Sequence, residues 1–395
     1  MFKGKINQSD NTFQVADRSL SRVINQKAII DKIYQCDGVS RAQLAKELGI
    51  SKPAITRNVE NLIEIGLVEE KGEGKSAEKG GRKPVMLYFN KDHRYVGALD
   101  LAYTQPVCAV FDLKGHIVGL KKTGDLKAVS EDMRRERIKN TFLEILEEHQ
   151  IILSKLDTIV ISQPGIIEYD RNKHYSEKRH HVWTEIGLDH YLKEELGAHV
   201  SVRNDVNLAA IGEMHFDCDQ KLENLIYVSC GVGLGAGIIL NGTLYNGDNN
   251  AAGEIGSLIM ENGQSYEECV AMDSLIKKIE QKYEENGEPK KISFSEIVSL
   301  SKRGDKVVNE VIYETGRLLG HVIYNCCVVL GITTVKFGGE YLELGDKLFE
   351  GIESVLKTRT VSKPEIMPGG LRQIAGLFGC FVVGKDKIIE RFTRV

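Results

Sequence analysis

Residues 26–90 carry one pattern that few folds can satisfy. A first helix with apolar spacing places Ile29, Ile30 and Ile33 on one face. After the break at Asp37 and Gly38, Ser40 opens a short helix carrying Leu44, Ala45 and Leu48. Gly49 supplies the turn, Ser51 is placed to cap a further helix, and Pro53 falls in its first turn, where a missing N–H costs nothing. That helix continues through Val59, Leu62 and Ile63. Its other face shows Lys52, Thr56, Arg57 and Asn58, side-chain types that reach phosphates and base edges. Two β-prone runs, 67–71 and 84–89, flank a polar, glycine-rich loop from Gly72 to Lys83. Helix–turn–helix followed by a β-wing is a DNA-docking geometry. Ser51, Lys52, Thr56 and Arg57 are therefore the candidate DNA contacts of the helix. Arg82 and Lys83, within Gly80-Gly81-Arg82-Lys83-Pro84, are those of a wing entering a minor groove.

Three short helices and a hairpin also suit an ordinary packing module or a protein-binding winged helix. Charge placement tips the balance toward DNA. Residues 1–90 carry 15 Lys and Arg against 11 Asp and Glu, and the rest of the chain 37 against 45. The net charge of −4 thus conceals a head of +4 on a body of −8. Such asymmetry fits an effector domain with a DNA-binding head.

A chain of 395 residues allows two or three domains, each with its own core. No apolar run approaches the ~20 residues a membrane helix needs. The start, Met1-Phe2-Lys3-Gly4, has no apolar signal region, so a cytoplasmic protein is expected. Eight scattered cysteines form no CxxC pair and read as small buried hydrophobes in a reducing compartment. Ten histidines form no metal signature.

Past Asp92 the pattern changes. Apolar runs at 95–103, 107–112 and 117–120 form a three-strand meander with a turn at Leu113-Lys114-Gly115. The design returns at 225–230, 238–240 and 243–245, around a glycine-rich passage from Gly231 to Gly237 and a turn at Asn241-Gly242. Each meander is followed by helical material and a further strand-like run, 156–162 in the first half and 333–337 in the second. An apolar meander with αβ elements, used twice, predicts two similar lobes facing a cleft.

Four segments then make the body resemble the ROK family of repressors, open reading frames and sugar kinases. They are Gln163-Pro164-Gly165, Arg203-Asn204-Asp205-Val206-Asn207 with Gly212-Glu213, Gly231-Val232-Gly233-Leu234-Gly235, and Gly253-Glu254-Ile255-Gly256. The head, with Asn25-Gln26-Lys27 and the wing motif, looks most like that of the xylose repressors within the family. The resemblance implies an α/β architecture: an N-terminal winged helix-turn-helix over 1–90, then a two-lobed actin-like ATPase fold. Its first lobe spans 95–203, completed by a C-terminal helix over 375–395, and its second spans 204–374.

The resemblance also implies a sugar site. Asp205 matches the general base of the family's kinases, and Asn204 and Glu254 match other sugar contacts. Read from the residues alone, Asp205 could be an Asx turn and Glu254 a solvated loop acid. Phosphotransfer is not expected. The kinases carry an Asp-x-Gly-Gly-Thr loop, whereas Asp100-Leu101-Ala102-Tyr103-Thr104 replaces both glycines and sets a phenol where a triphosphate would lie. The surviving glycines at 231, 233 and 235, and Gly338-Gly339-Glu340, are read as structural turns. The family's zinc-binding His and three Cys are here reduced to Ser257 and Cys269, so no metal is expected, and no cofactor. Lys178-Arg179-His180-His181-Val182-Trp183 is unusually basic for a sugar loop, a hint of an acidic or phosphorylated ligand, although solvated loop residues are the plainer explanation. The expected protein is a sugar-responsive repressor without catalytic activity, bound as a homodimer or dimer of dimers to a palindromic double-stranded operator. The alternative is an active sugar kinase with an appended DNA-binding head.

Overall fold

The computed structural model describes residues 18–73, 83–102, 105–126, 128–167, 186–217, 222–359, 361 and 363–393. The chain forms two compact units, one of residues up to Arg94 together with those from Lys387 onward, the other from Tyr95 to Asp386.

In the smaller unit, α1 (Arg18–Gln35), α2 (Arg41–Leu48) and α3 (Lys52–Glu64) pack through Ile29, Ile30, Ile33, Leu44, Ile55, Val59 and Leu62, all fully buried. The tight α2–α3 connection follows from chemistry at its ends. Ser40 Oγ accepts from Gln43 N–H while the Gln43 side chain accepts from Ser40 N–H, closing a capping box. Gly49 ends α2 with φ +64°, a left-handed turn that favours glycine. The wing is β2 (Val68–Glu73) antiparallel to β3 (Val85–Phe89), with β1 (Val39–Ser40) on the other edge of β3. Tyr34 meets Phe89 edge to face at 5.1 Å and ties α1 to this sheet.

The larger unit contains two five-stranded sheets of the same plan. In the first, β4 (Tyr95–Asp100), β5 (Val107–Asp112) and β6 (Ile117–Lys122) form the meander, and β7 (Leu156–Gln163) and β8 (His199–Asn204) add on parallel to β4, in the order β6-β5-β4-β7-β8. In the second, β9 (Leu225–Cys230), β10 (Leu234–Leu240) and β11 (Thr243–Leu244) form the meander, and β12 (Thr334–Gly338) and β13 (Glu365–Pro368) continue it, in the order β11-β10-β9-β12-β13. The parallel strands require crossovers, and helices supply them. Glu131–Glu148 and Leu188–Leu196 fill that role in the first sheet, and Lys306–Leu330 and Asp346–Leu356 in the second. The repeat expected from the two meanders is therefore present strand for strand.

The helix Asp205–Phe216 packs on the second sheet, where Gly237 lies so near Ala210 that an added Cβ would come within 2.5 Å of the alanine methyl. Its residue Glu213, fully buried, accepts from the N–H groups of Gly370 and Leu371 at 3.1 and 3.0 Å. Asp217 bridges the same turn to Lys336. Burial, with Asp217 alongside, raises the Glu213 pKa to about 7. The Gly212-Glu213 motif is thus a fastening for the chain entering the last helix, Ala375–Thr393. That helix lies on the first sheet through Phe381 against Phe111 and Gly384 against Val96. Its residues from Lys387 belong to the smaller unit, where Phe392 packs edge-on to His93 and beneath the Arg94 guanidinium.

Candidate functional site

The outward face of α3 is set by its amphipathic register. Ile55, Val59 and Leu62 turn inward, which leaves Ser51, Lys52 and Arg57 exposed and Thr56 half-buried. Ser51 holds the N-cap position, yet its side chain makes no capping bond. The Thr56 hydroxyl donates to the Lys52 carbonyl one turn back, at 3.1 Å. Asn58, read from the sequence as part of the same face, is 6% exposed and donates to the Ala54 carbonyl at 2.8 Å. It belongs to the interior because its amide is satisfied within the helix. In the wing Lys83 is exposed, and Arg82 lies outside the described residues.

In the larger unit a cavity of about 240 Å³ opens between the strand ends of the two sheets. Asn204, Asp205 and Glu254, the three sequence-assigned sugar contacts, all line it. Asn204 caps the helix Asp205–Phe216. Its Oδ1 accepts from Asn207 N–H at 2.9 Å and its Nδ2 donates to the Gly165 carbonyl at 3.0 Å. Asp205 opens the helix with its carboxylate accepting from Val206 N–H at 2.8 Å. Burial, with Glu340 nearby, raises its pKa to about 6. Glu254 is brought to the rim by Gly253, with φ +92° and no room for a Cβ, which would come within 1.8 Å of the Ala236 carbonyl oxygen.

Two further acids line the cavity that motif reading passed over, Glu267 and Glu340. Glu267 falls where zinc-binding cysteines were sought, in a stretch that instead reads as polar surface. Its Oε2 accepts from Leu234 N–H at 2.9 Å. Glu340 follows Gly338-Gly339, whose only apparent message was a turn. Burial raises its pKa. Beneath the cavity Asp100 ends β4, 3% exposed, accepting from Ala102 N–H at 3.0 Å and from Ser162 Oγ at 3.1 Å. Burial first, then the charges of Asp205 and Glu340, lift its pKa to about 7. Tyr103 and the basic stretch at 178–183 lie outside the described residues. Among the described lining residues there is no Lys, Arg or His.

The donor set does not fit the family's zinc. Ser257 lines the cavity, Cys269 is buried in the core of the second sheet, and no group of three His, Cys, Asp or Glu is arranged for a metal among the described residues. The segment is held by other means: a bridge between Ile259 and Ser265, and a capping box of Ser265 with Glu268.

The residues that build this cavity lie within 96–387, the stretch of the chain that matches the ROK family model. The chain belongs to the ROK family. A winged helix-turn-helix DNA-binding model matches residues 24–69. Over 392 residues the chain is 26% identical to the xylose repressor of Bacillus subtilis (strain 168), covering 96% of this chain and 99% of that protein. It is 25% identical to the DNA-binding transcriptional dual regulator NagC of Escherichia coli (strain K12), covering 88% of each. Among solved structures, a ROK family transcriptional regulator, homolog of the E. coli MLC protein, matches with a TM-score of 0.77 at 21% identity, covering 95% of this chain and 99% of that one. This ROK protein thus combines a winged helix-turn-helix with a sugar-kinase-like body.

Proposed function

We propose that this ROK protein is a sugar-responsive DNA-binding transcriptional repressor whose kinase-like body binds an effector without transforming it. The observation that carries the reading is the joining, in one chain, of an outward-facing Lys52 and Arg57 on α3 with a cleft of hydrogen-bond acceptors at Asp205, Glu254 and Glu267. A polyol presents a donor on every hydroxyl, and carboxylates at fixed positions select among their arrangements. The acids suit an uncharged sugar better than a phosphorylated one, because an anion would meet like charge. The B. subtilis relative is a xylose repressor and the E. coli one a DNA-binding transcriptional dual regulator, aligned over 96% and 88% of this chain.

The finer reading is a homodimer, or dimer of dimers, acting in the cytoplasm. Each α3 enters a major groove with Ser51, Lys52, Thr56 and Arg57. Each wing lays Arg82 and Lys83 in the adjoining minor groove, so two-fold related heads read a palindrome. The effector biases an equilibrium between open and closed lobes, and thereby the spacing of the heads.

A thermal-shift panel of neutral sugars, their 6-phosphates and sugar acids tests the reading. A true effector at a hundred times its Kd stabilises the protein by about 2.7 kcal/mol. Stabilisation by no sugar in the panel sinks the effector assignment. Turnover of any of them with ATP in a coupled assay sinks the non-enzymatic one.

A further inference from the structure

The turn Gly231-Val232-Gly233 between β9 and β10 has the composition of a phosphate cradle, in which unshielded backbone N–H groups converge on an anion. Here the N–H groups of Gly231, Val232 and Leu234 are engaged by the chain itself. Val232 N–H donates to Glu340. Leu234 N–H donates to Glu267 Oε2 at 2.9 Å, and Gly231 N–H to the Gly233 carbonyl at 3.0 Å. The Glu340 carboxylate lies directly on Gly231: a Cβ built there would come within 1.8 Å of Oε2 and 2.7 Å of the carboxyl carbon. Gly339 makes this approach possible. It has φ +83°, and its own Cβ would sit 2.4 Å from the Cys230 carbonyl oxygen. The glycines on both sides are therefore accounted for by the seating of one carboxylate against the other's turn, with no nucleotide needed to explain them.

We propose that Glu340 is a built-in occupant of the anion cradle, excluding the phosphoryl groups of nucleotides from the cleft. A phosphate arriving at the turn must displace the carboxylate from Val232 N–H. It must then remain beside the displaced acid and Asp205. The cradle itself should survive loss of the side chain, since β9 and β10 stay paired from Cys230 with Leu234 to Leu225 with Ile239. This role is separate from the block that Tyr103 offers in the sequence. It does not depend on which sugar, if any, the cleft binds.

The test uses the full-length protein, Mg·ATP and Mg·tripolyphosphate. Calorimetry is run on wild type, Glu340→Ala, which empties the cradle, and Glu340→Gln, which removes the charge while keeping the shape and so guards against misfolding of the first. Circular dichroism melts establish which variants are folded. Wild type is expected to show no Mg·ATP binding at about 1 mM, and a folded variant to gain at least roughly tenfold, with the gain competed away by tripolyphosphate. Three results overturn the proposal: wild type binding Mg·ATP as tightly as the variants, folded variants that gain nothing, or a gain that tripolyphosphate does not compete.

Discussion

The Asn204 side chain donates from Nδ2 to the Gly165 carbonyl at 3.0 Å while its Oδ1 caps the helix Asp205–Phe216. One residue thus fixes both the loop after β7 and the helix start that carries Asp205, the two walls at this end of the cleft. Asn204→Ala is expected to cost ~1 kcal/mol of stability through the lost cap alone. It should also weaken effector binding, because the helix start that carries Asp205 is no longer tied to the Gly165 loop. Denaturant melts paired with calorimetry check this. Full stability with unchanged affinity would show the two bonds to be incidental.

The buried acids give the protein a pH signature. Asp205 rises from the ordinary carboxylate range to about 6 and Asp100 to about 7, chiefly by burial. Between about pH 4 and 7 the folded state therefore holds protons that the unfolded chain has lost, and stability falls as pH rises through that window. Asp205→Asn should melt above wild type at pH 8 and lose that advantage near pH 4. A sugar hydroxyl that donates to Asp205 favours the carboxylate, so effector affinity should rise as pH passes 6, with proton release visible as a buffer-dependent binding enthalpy. Wild type and Asp205→Asn melting in parallel across the range would contradict the assignment.

On DNA the exposed residues of α3 should separate by role. Arg57→Ala is expected to lose ~1–3 kcal/mol of specific binding and to relax one operator position if Arg57 pairs with a base. Lys52→Ala should weaken all sequences alike and lower the salt slope by about one. Arg82→Ala, in the wing, should lower both affinity and salt slope. Asn58→Ala should instead lower the melting temperature of the head, since that amide is buried and bonded to Ala54. Footprinting and salt titrations on one operator distinguish these outcomes.

What the sequence disclosed, and what it withheld, follows from the range of the interactions. The head is legible because its signals are local: apolar spacing at Ile29, Ile30 and Ile33, the Ser40–Gln43 box, and glycine at 49. The paired sheets are legible because each meander repeats its own short-range pattern. Ser51 shows the limit of a local rule. The residue type marks the cap position, but no hydroxyl bond forms there. Asn58 looks like surface because it is polar, and only the packing of α3 against α1 and α2 reveals that it is covered. The roles of Glu267 and Glu340 are set by contacts to Leu234 and Val232, far away in the chain, and no spacing rule announces such pairs.

The acids of the cleft supply the last prediction, in which recognition and regulation come apart. Asp205→Ala and Glu254→Ala remove acceptors that line the cavity without touching the head, so both variants should fold, bind the operator and fail to respond to the effector. Loss of a hydrogen bond to a charged acceptor costs ~1.5–3 kcal/mol, roughly a 10- to 150-fold fall in affinity. Glu267→Gln is the sharper variant. It leaves an oxygen for Leu234 N–H, which Glu267 now holds at 2.9 Å, while removing the charge and replacing the other acceptor oxygen by an NH2 donor. Its stability should stay near wild type while effector affinity drops. Reporter induction and calorimetry, with the sugar found in the thermal-shift panel, measure both quantities on the same proteins. If Asp205→Ala, Glu254→Ala and Glu267→Gln all induce normally, the effector enters elsewhere in the chain, and the cleft between the two sheets is not the sensor.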